Sequence, residues 1–150
     1  MGEDKLNRLP PDVKKQFLKL ALKLSEKKTK SKVHNDFLSF VKHVWPEFIE
    51  GKHHKEIAQK FNQIAKGEIK RLIINMPPRH TKSEFASFLL PSWMVGRRPN
   101  LKIIQTTHTT ELAIRFGRKA KTLMDSPEYK QVFQTRLRED SQAAGKWETE

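Results

Sequence analysis

Arg71-Leu72-Ile73-Ile74-Asn75-Met76-Pro77-Pro78-Arg79-His80-Thr81-Lys82-Ser83-Glu84 is the stretch on which the reading of this chain turns. Its first six residues are short, apolar and rich in β-branched side chains, which predicts a buried parallel strand ended by the two prolines. A helix is expected to start near Lys82 and run through Phe85, Ala86 and Leu89, with Pro91 bending or ending it. The loop between strand and helix, Met76–Ser83, carries three basic side chains, Arg79, His80 and Lys82. In a phosphate-binding loop of this kind the backbone N–H groups and the helix N-terminus face the anion. The lysine reaches the β- and γ-phosphates, and the following hydroxyl ligates magnesium. Lys82 and Ser83 stand where those roles require them.

Downstream, Leu101-Lys102-Ile103-Ile104-Gln105-Thr106-Thr107 reads as a second strand. A helix follows from Thr109 or Thr110 to Met124, burying Leu112, Ala113, Phe116, Ala120 and Leu123, and Ser126-Pro127 marks its end. Strand, loop, helix, strand, helix is the order of a parallel-sheet α/β fold. After Lys130 the chain turns polar and no third strong strand is expected. Upstream, a helix from about His53 to Lys66 carries Ile57, Phe61, Ile64 and Ala65 on one side and stops at Gly67. Before it, Asn35 is expected to cap a helix bearing Phe37, Phe40, Val41 and Val44 that ends ahead of Pro46.

The N-terminal region is basic. Between Lys5 and Lys32 there are ten basic and two acidic residues, a net +8 within a chain whose total is +13. That excess favours a polyanionic partner: nucleic acid, nucleotide phosphates or an anionic surface. Asp12, after Pro10-Pro11, is expected to cap a helix with the apolar stripe Val13, Phe17, Leu20, Ala21 and Leu24, and Ser25–Lys32 reads as a linker. Packing of the stripe on the body is the first expectation; contact with DNA or a partner protein, and a membrane-surface helix, are the alternatives. Hydrophobic residues make up 36% of the chain and no apolar run spans a bilayer. Cysteine is absent, which excludes disulfides and cysteine metal sites within the chain. The six histidines show no metal-ligand spacing, and His53 and His54 are expected to point apart on a helix.

In the general pattern G-x-x-x-x-G-K-S/T the two glycines fall on Met76 and Thr81. A β-branched residue with φ above zero is an outlier. Either the loop uses another geometry at Thr81 or it stores about 1–3 kcal/mol of strain. The plainer reading is a proline-rich turn whose Lys82 and Ser83 are ordinary first residues of a helix.

The run Ile73–Glu84 closely resembles the Walker A segment of the large terminase subunits of tailed bacteriophages, many of which read Pro-Pro-Arg-His-Gly-Lys-Ser. The resemblance extends from about Phe40, with Trp45-Pro46 and His53-His54, through Trp93, Gly96-Arg97, Glu111-Leu112-Ala113, Phe116-Gly117 and Pro127-Glu128-Tyr129 to Trp147. Thr81 in place of glycine is its main departure. The resemblance implies an α/β P-loop NTPase of the RecA-like, additional-strand type, incomplete at the C-terminus. Residues 1–34 would be a basic helical arm and linker, and 35–150 the first part of the ATPase domain.

By the same resemblance ATP and Mg2+ would lie on Pro78, Arg79, His80, Thr81, Lys82, Ser83 and Glu84. Lys82 and Arg79 would act in catalysis, and Ser83 would bind the metal. Arg79 would stand beside the γ-phosphate, and His54 falls in the segment where the family binds adenine, although a solvated ring at the start of a helix is the plainer expectation for it. The activity implied is ATP-driven packaging of double-stranded viral DNA. It would take place in the cytoplasm of the infected host, in a ring of identical subunits on the portal protein with a small terminase subunit, and without a membrane. Hydrolysis also needs an acidic pair after an apolar strand. Glu139-Asp140 follows no such strand and reads as a solvated pair, so that site, like the family's nuclease, would lie beyond Glu150. Two other readings stand beside this one: another nucleic-acid translocase of the same loop chemistry, and a basic DNA-binding or assembly module whose loop is vestigial.

Overall fold

The computed structural model describes residues 10–142 and 147–149. Helix α1 (Pro11–Asn35) is followed after one residue by α2 (Phe37–Val44), and α3 (Lys52–Lys66) ends at Gly67, whose φ of 81° is the left-handed stop expected there. Then α4 (Lys82–Glu84), a π-helical turn (Phe85–Leu89) and α5 (Leu90–Arg97) run on from one another. Helices α6 (Thr110–Asp125) and α7 (Pro127–Val132) follow, each capped by the hydroxyl predicted to mark its boundary, Thr109 and Ser126. Strands β1 (Leu137–Gln142) and β2 (Trp147–Thr149) pair antiparallel.

The expected parallel sheet of a P-loop NTPase is not present: the described residues are mostly helical, and their one strand pairing is the β1–β2 ribbon. Residues 71–76 and 101–107 form no ladder. Along 71–76 exposure alternates, with Leu72, Ile74 and Met76 half-buried on the helical core, while Ile73 is 86% exposed. Ile104 is 91% exposed. The period of two set the facing of the side chains but not the pairing. A sheet of that class needs several neighbouring strands, and two candidates do not supply them.

Phe37 is the centre of the core. Its ring lies edge-on to Phe61, Phe85 and Trp93 at centroid distances of 5.1, 5.4 and 5.5 Å, so one side chain joins α2, α3, the π turn and α5. The start of α2 is fixed by a polar clasp. Asp36 accepts from Ser39 N–H at 2.8 Å and from Asn62 Nδ2 at 2.8 Å, and Asn62 Oδ1 accepts from Phe37 N–H at 2.9 Å. The cap is thus Asp36 and not Asn35. On the far side, Tyr129 donates its buried hydroxyl to Ser92 O, and a Cβ at Gly96 would stand 2.5 Å from that hydroxyl, so α5 can meet α7 only with glycine there.

Four further local expectations are corrected. Pro91 does not end its helix, which passes through a π-helical turn just before it. The wide turn before it, in which Leu90 N–H reaches Phe85 O, takes up the lost donor and the clash of the proline ring with the preceding turn. Ser25–Lys32 is not a linker but the second half of α1, where lysine and glutamate propensities suffice without an apolar period. Asp12 does not cap α1, which starts at Pro11 with no side-chain cap. The stripe on α1 is not packed on the body: Val13, Phe17, Leu20 and Leu24 are each about half exposed, and Val33 is the residue of α1 that is buried.

Candidate functional site

The loop 76–83 joins an extended segment to the first residue of α4. Two of its residues, Arg79 and Thr81, have φ of 64° and 57°. Left-handed residues that alternate along a turn bring successive N–H groups toward a common point, the arrangement that binds anions. The helix begun by Lys82 continues through α5, so its N-terminal dipole adds to that field.

The side chains follow. Lys82 is half-buried and folds back so that Nζ points to Met76 O at 3.4 Å, spanning the loop from its last residues to its first. His80 Nδ1 donates to Pro78 O at 2.9 Å, which fixes the proton on that nitrogen. Arg79, His80 and Ser83 are exposed. Glu84 does not face the loop: Lys119 of α6 holds its carboxylate at 2.7 Å. The structure therefore brings Pro78 to Ser83 together in one turn and assigns Glu84 to a tie between helices.

His54 is the residue where geometry adds most. It is 6% exposed, against the expectation of a solvated ring. Its ring packs beside Phe48 and Phe85, at 4.7 and 5.1 Å between centroids. Gly51 N–H donates to Nδ1 at 2.9 Å, and Nε2 lies 2.6 Å from the Thr81 hydroxyl, whose oxygen is 2.7 Å from His80 O. Burial, with the neighbouring His53 charge second, holds its pKa below the usual histidine value.

His53 and His54 do not point apart: their rings are 3.8 Å between centroids, with His80 at 5.6 Å from His53. The cause is the helix start, where His54 reaches back to the N–H of Gly51 as a capping-box acid or amide would. The spacing Gly51-x-x-His54 was the available sequence signal. His53 Nε2 is buried without a partner at this edge of the loop. No group among the described residues has the geometry to hold a metal ion through histidine and carboxylate alone.

A separate groove of about 700 Å3 lies between α2, the π turn and α6 and includes no residue of the loop. Val44, Phe88, Ile114 and Leu123 form its apolar wall, and Arg115 and Arg118 its rim. Among the described residues no helix is long and apolar enough to cross a membrane. Comparison with protein-family models, with curated proteins and with solved structures finds no match to this chain.

Proposed function

We propose that the loop Met76–Ser83 binds the phosphates of ATP with Mg2+, and that the chain belongs to a DNA-packaging motor ATPase. The observation that carries the reading is the pair of left-handed residues, Arg79 and Thr81, in a cationic turn at a helix start. Non-glycine residues hold that backbone only where the surroundings enforce it, and such strain concentrates at ligand clamps. The residues fit the group. Backbone N–H groups and Lys82 would hold phosphate oxygens, the exposed Ser83 hydroxyl would ligate Mg2+, and Arg79 would meet terminal phosphate charge. Bound Mg2+ would supply charge neutralisation across the phosphates.

The remaining parts of the proposal rest on the resemblance and on charge. Helix α1 carries eight lysines and is exposed along most of its length ahead of Val33, a surface suited to duplex phosphates in a sequence-independent, salt-sensitive contact. The motor would work as a ring on the portal beside a small terminase subunit, in the cytoplasm of an infected bacterium. Glu84 is engaged by Lys119, so the carboxylate that orients water is not offered by this helix, and binding without turnover is expected of these residues alone. A second reading, a basic DNA-binding module with a vestigial loop, is favoured by the lack of a parallel sheet behind the loop.

Binding of a fluorescent ATP analogue with Mg2+, compared with Lys82→Ala, tests the reading. Saturable binding weakened by about tenfold or more in the variant is expected for loss of a charge-assisted phosphate contact. A folded chain that binds no nucleotide, or that binds equally well without Lys82, would leave the DNA-binding module as the better account.

A further inference from the structure

We propose that His54 is a positioning residue for the phosphate loop, taking over through a hydrogen bond to Thr81 the conformational role that glycine plays in such loops. The proposal rests on the nucleotide reading above for its consequence, but on the geometry alone for its mechanism. Thr81 has φ of 57° and ψ of 9°, a left-handed backbone that a β-branched side chain resists. Something must hold it there, and the hydrogen bonds around its hydroxyl are the contacts placed to do so.

The direction of every bond in that chain is fixed. A backbone N–H only donates, so Gly51 N–H requires a bare Nδ1 on His54. The neutral ring then carries its proton on Nε2 and donates to Thr81 Oγ1 at 2.6 Å. A carbonyl only accepts, so Thr81 uses its own proton on His80 O at 2.7 Å. Donation therefore runs from Gly51 through His54 and Thr81 to the carbonyl of the residue before it. The last bond closes a local ring that clamps the peptide leading from His80 into the left-handed Thr81. His54 is held in place by Phe48 and Phe85, whose rings pack against its own at 4.7 and 5.1 Å between centroids. The first turn of α3 thus sets the conformation of a loop 27 residues further along.

The test is a double-mutant cycle in the full chain. His54→Phe keeps an aromatic ring between Phe48 and Phe85 and removes the Nε2 donor to Thr81 together with the Nδ1 acceptor for Gly51 N–H, the second loss being common to both backgrounds of the cycle. In the natural Thr81 background it should weaken binding of the fluorescent ATP analogue with Mg2+ by about tenfold, through release of the left-handed loop. In a Thr81→Gly background, where that conformation needs no support, it should change binding by less than about twofold. His54→Gln, whose amide N–H replaces Nε2, should restore most of the binding. Equal losses in both backgrounds, or no rescue by glutamine, overturn the proposal and leave His54 a packing residue. If the wild-type chain binds no nucleotide, the reading of function fails separately. The positioning role is then decided by nitrogen NMR of the His54 ring and by thermal unfolding. A proton on Nε2, and a midpoint lowered more by His54→Phe with Thr81 than in the Thr81→Gly background, uphold it; a proton on Nδ1, or equal losses in both, overturns it.

Discussion

Helices α1 and α2 are separated by one residue and both carry apolar side chains at helical spacing, yet they end in opposite environments. Over 25 residues α1 buries only Val33, whereas the eight residues of α2 bury Phe37, Phe40 and Val41 completely. At 1.5 Å per residue α1 extends about 37 Å, and most of that length has no body to lie on. An apolar stripe specifies that one face wants cover; it does not say what covers it. What places α2 is the aromatic geometry around Phe37 and the clasp of Asp36 and Asn62, both built from residues far along the chain. Two kinds of role separate here: α2 fills the core, with α3 beside it bonding to the loop through His54, and α1 displays charge.

The largest effect is expected where α2 is tested. Phe37→Ala removes the ring shared by four elements and leaves a cavity at full burial. A loss of about 3–5 kcal/mol follows for a buried phenylalanine, read as a fall in the urea midpoint with an unchanged slope. A loss below about 1 kcal/mol would break the comparison, because the body would then not depend on α2.

How much of this was legible in the sequence can be judged residue by residue. Gly67, Thr109 and Ser126 announced their boundaries because capping is decided within four residues, and each does what its position requires. The cap of α2 fell one residue late, at Asp36, because Asn35 and Asp36 are both good caps and only the contact with Asn62 distinguishes them. Residues 71–76 and 101–107 showed the period and composition of strands, but whether they pair depends on neighbours that no local pattern contains. The basic turn from Arg79 to Lys82 and its place at a helix start were legible; a left-handed Thr81 was one of two alternatives left open, and a left-handed Arg79 was not foreseen. That His54 supports Thr81 was not legible, since the two are 27 residues apart and the ring was expected to be solvated.

A smaller effect should come from the clasp. Burial acts to raise the pKa of Asp36, but hydrogen bonds from Ser39 and Asn62, with the Lys32 charge, outweigh it and leave the pKa below the ordinary aspartate value. The folded state therefore binds its proton less readily than the unfolded one. The stabilisation is complete above the ordinary value of 3.8 and is lost as pH falls through the lower folded value. Asp36→Ala should cost about 1–2 kcal/mol near neutral pH, as loss of a helix cap does. The gap between variant and wild type should close in acid. A difference that stays constant from pH 7 down to pH 2 would show that the carboxylate charge plays no part.

The smallest effect is expected on α1. Gln substitutions at Phe17, Leu20 and Leu24 keep helix propensity nearly unchanged and remove the stripe. Those three side chains are 50, 57 and 52% exposed, so each has already left much of its apolar surface in water. The urea midpoint of the triple variant should match wild type to within about 0.5 kcal/mol, the range of surface changes. Helix α1 should survive, held at its C-terminal end by Val33 and by the Trp93 indole N–H on Val33 O at 3.2 Å. A loss near that of Phe37→Ala would mean that the stripe is covered in solution, and α1 would then belong to the body as α2 does. An unchanged midpoint keeps α1 as a displayed surface, and a salt titration of duplex DNA binding on the same variant assigns its face. Affinity retained without the stripe, and falling with salt, places the contact on the lysines.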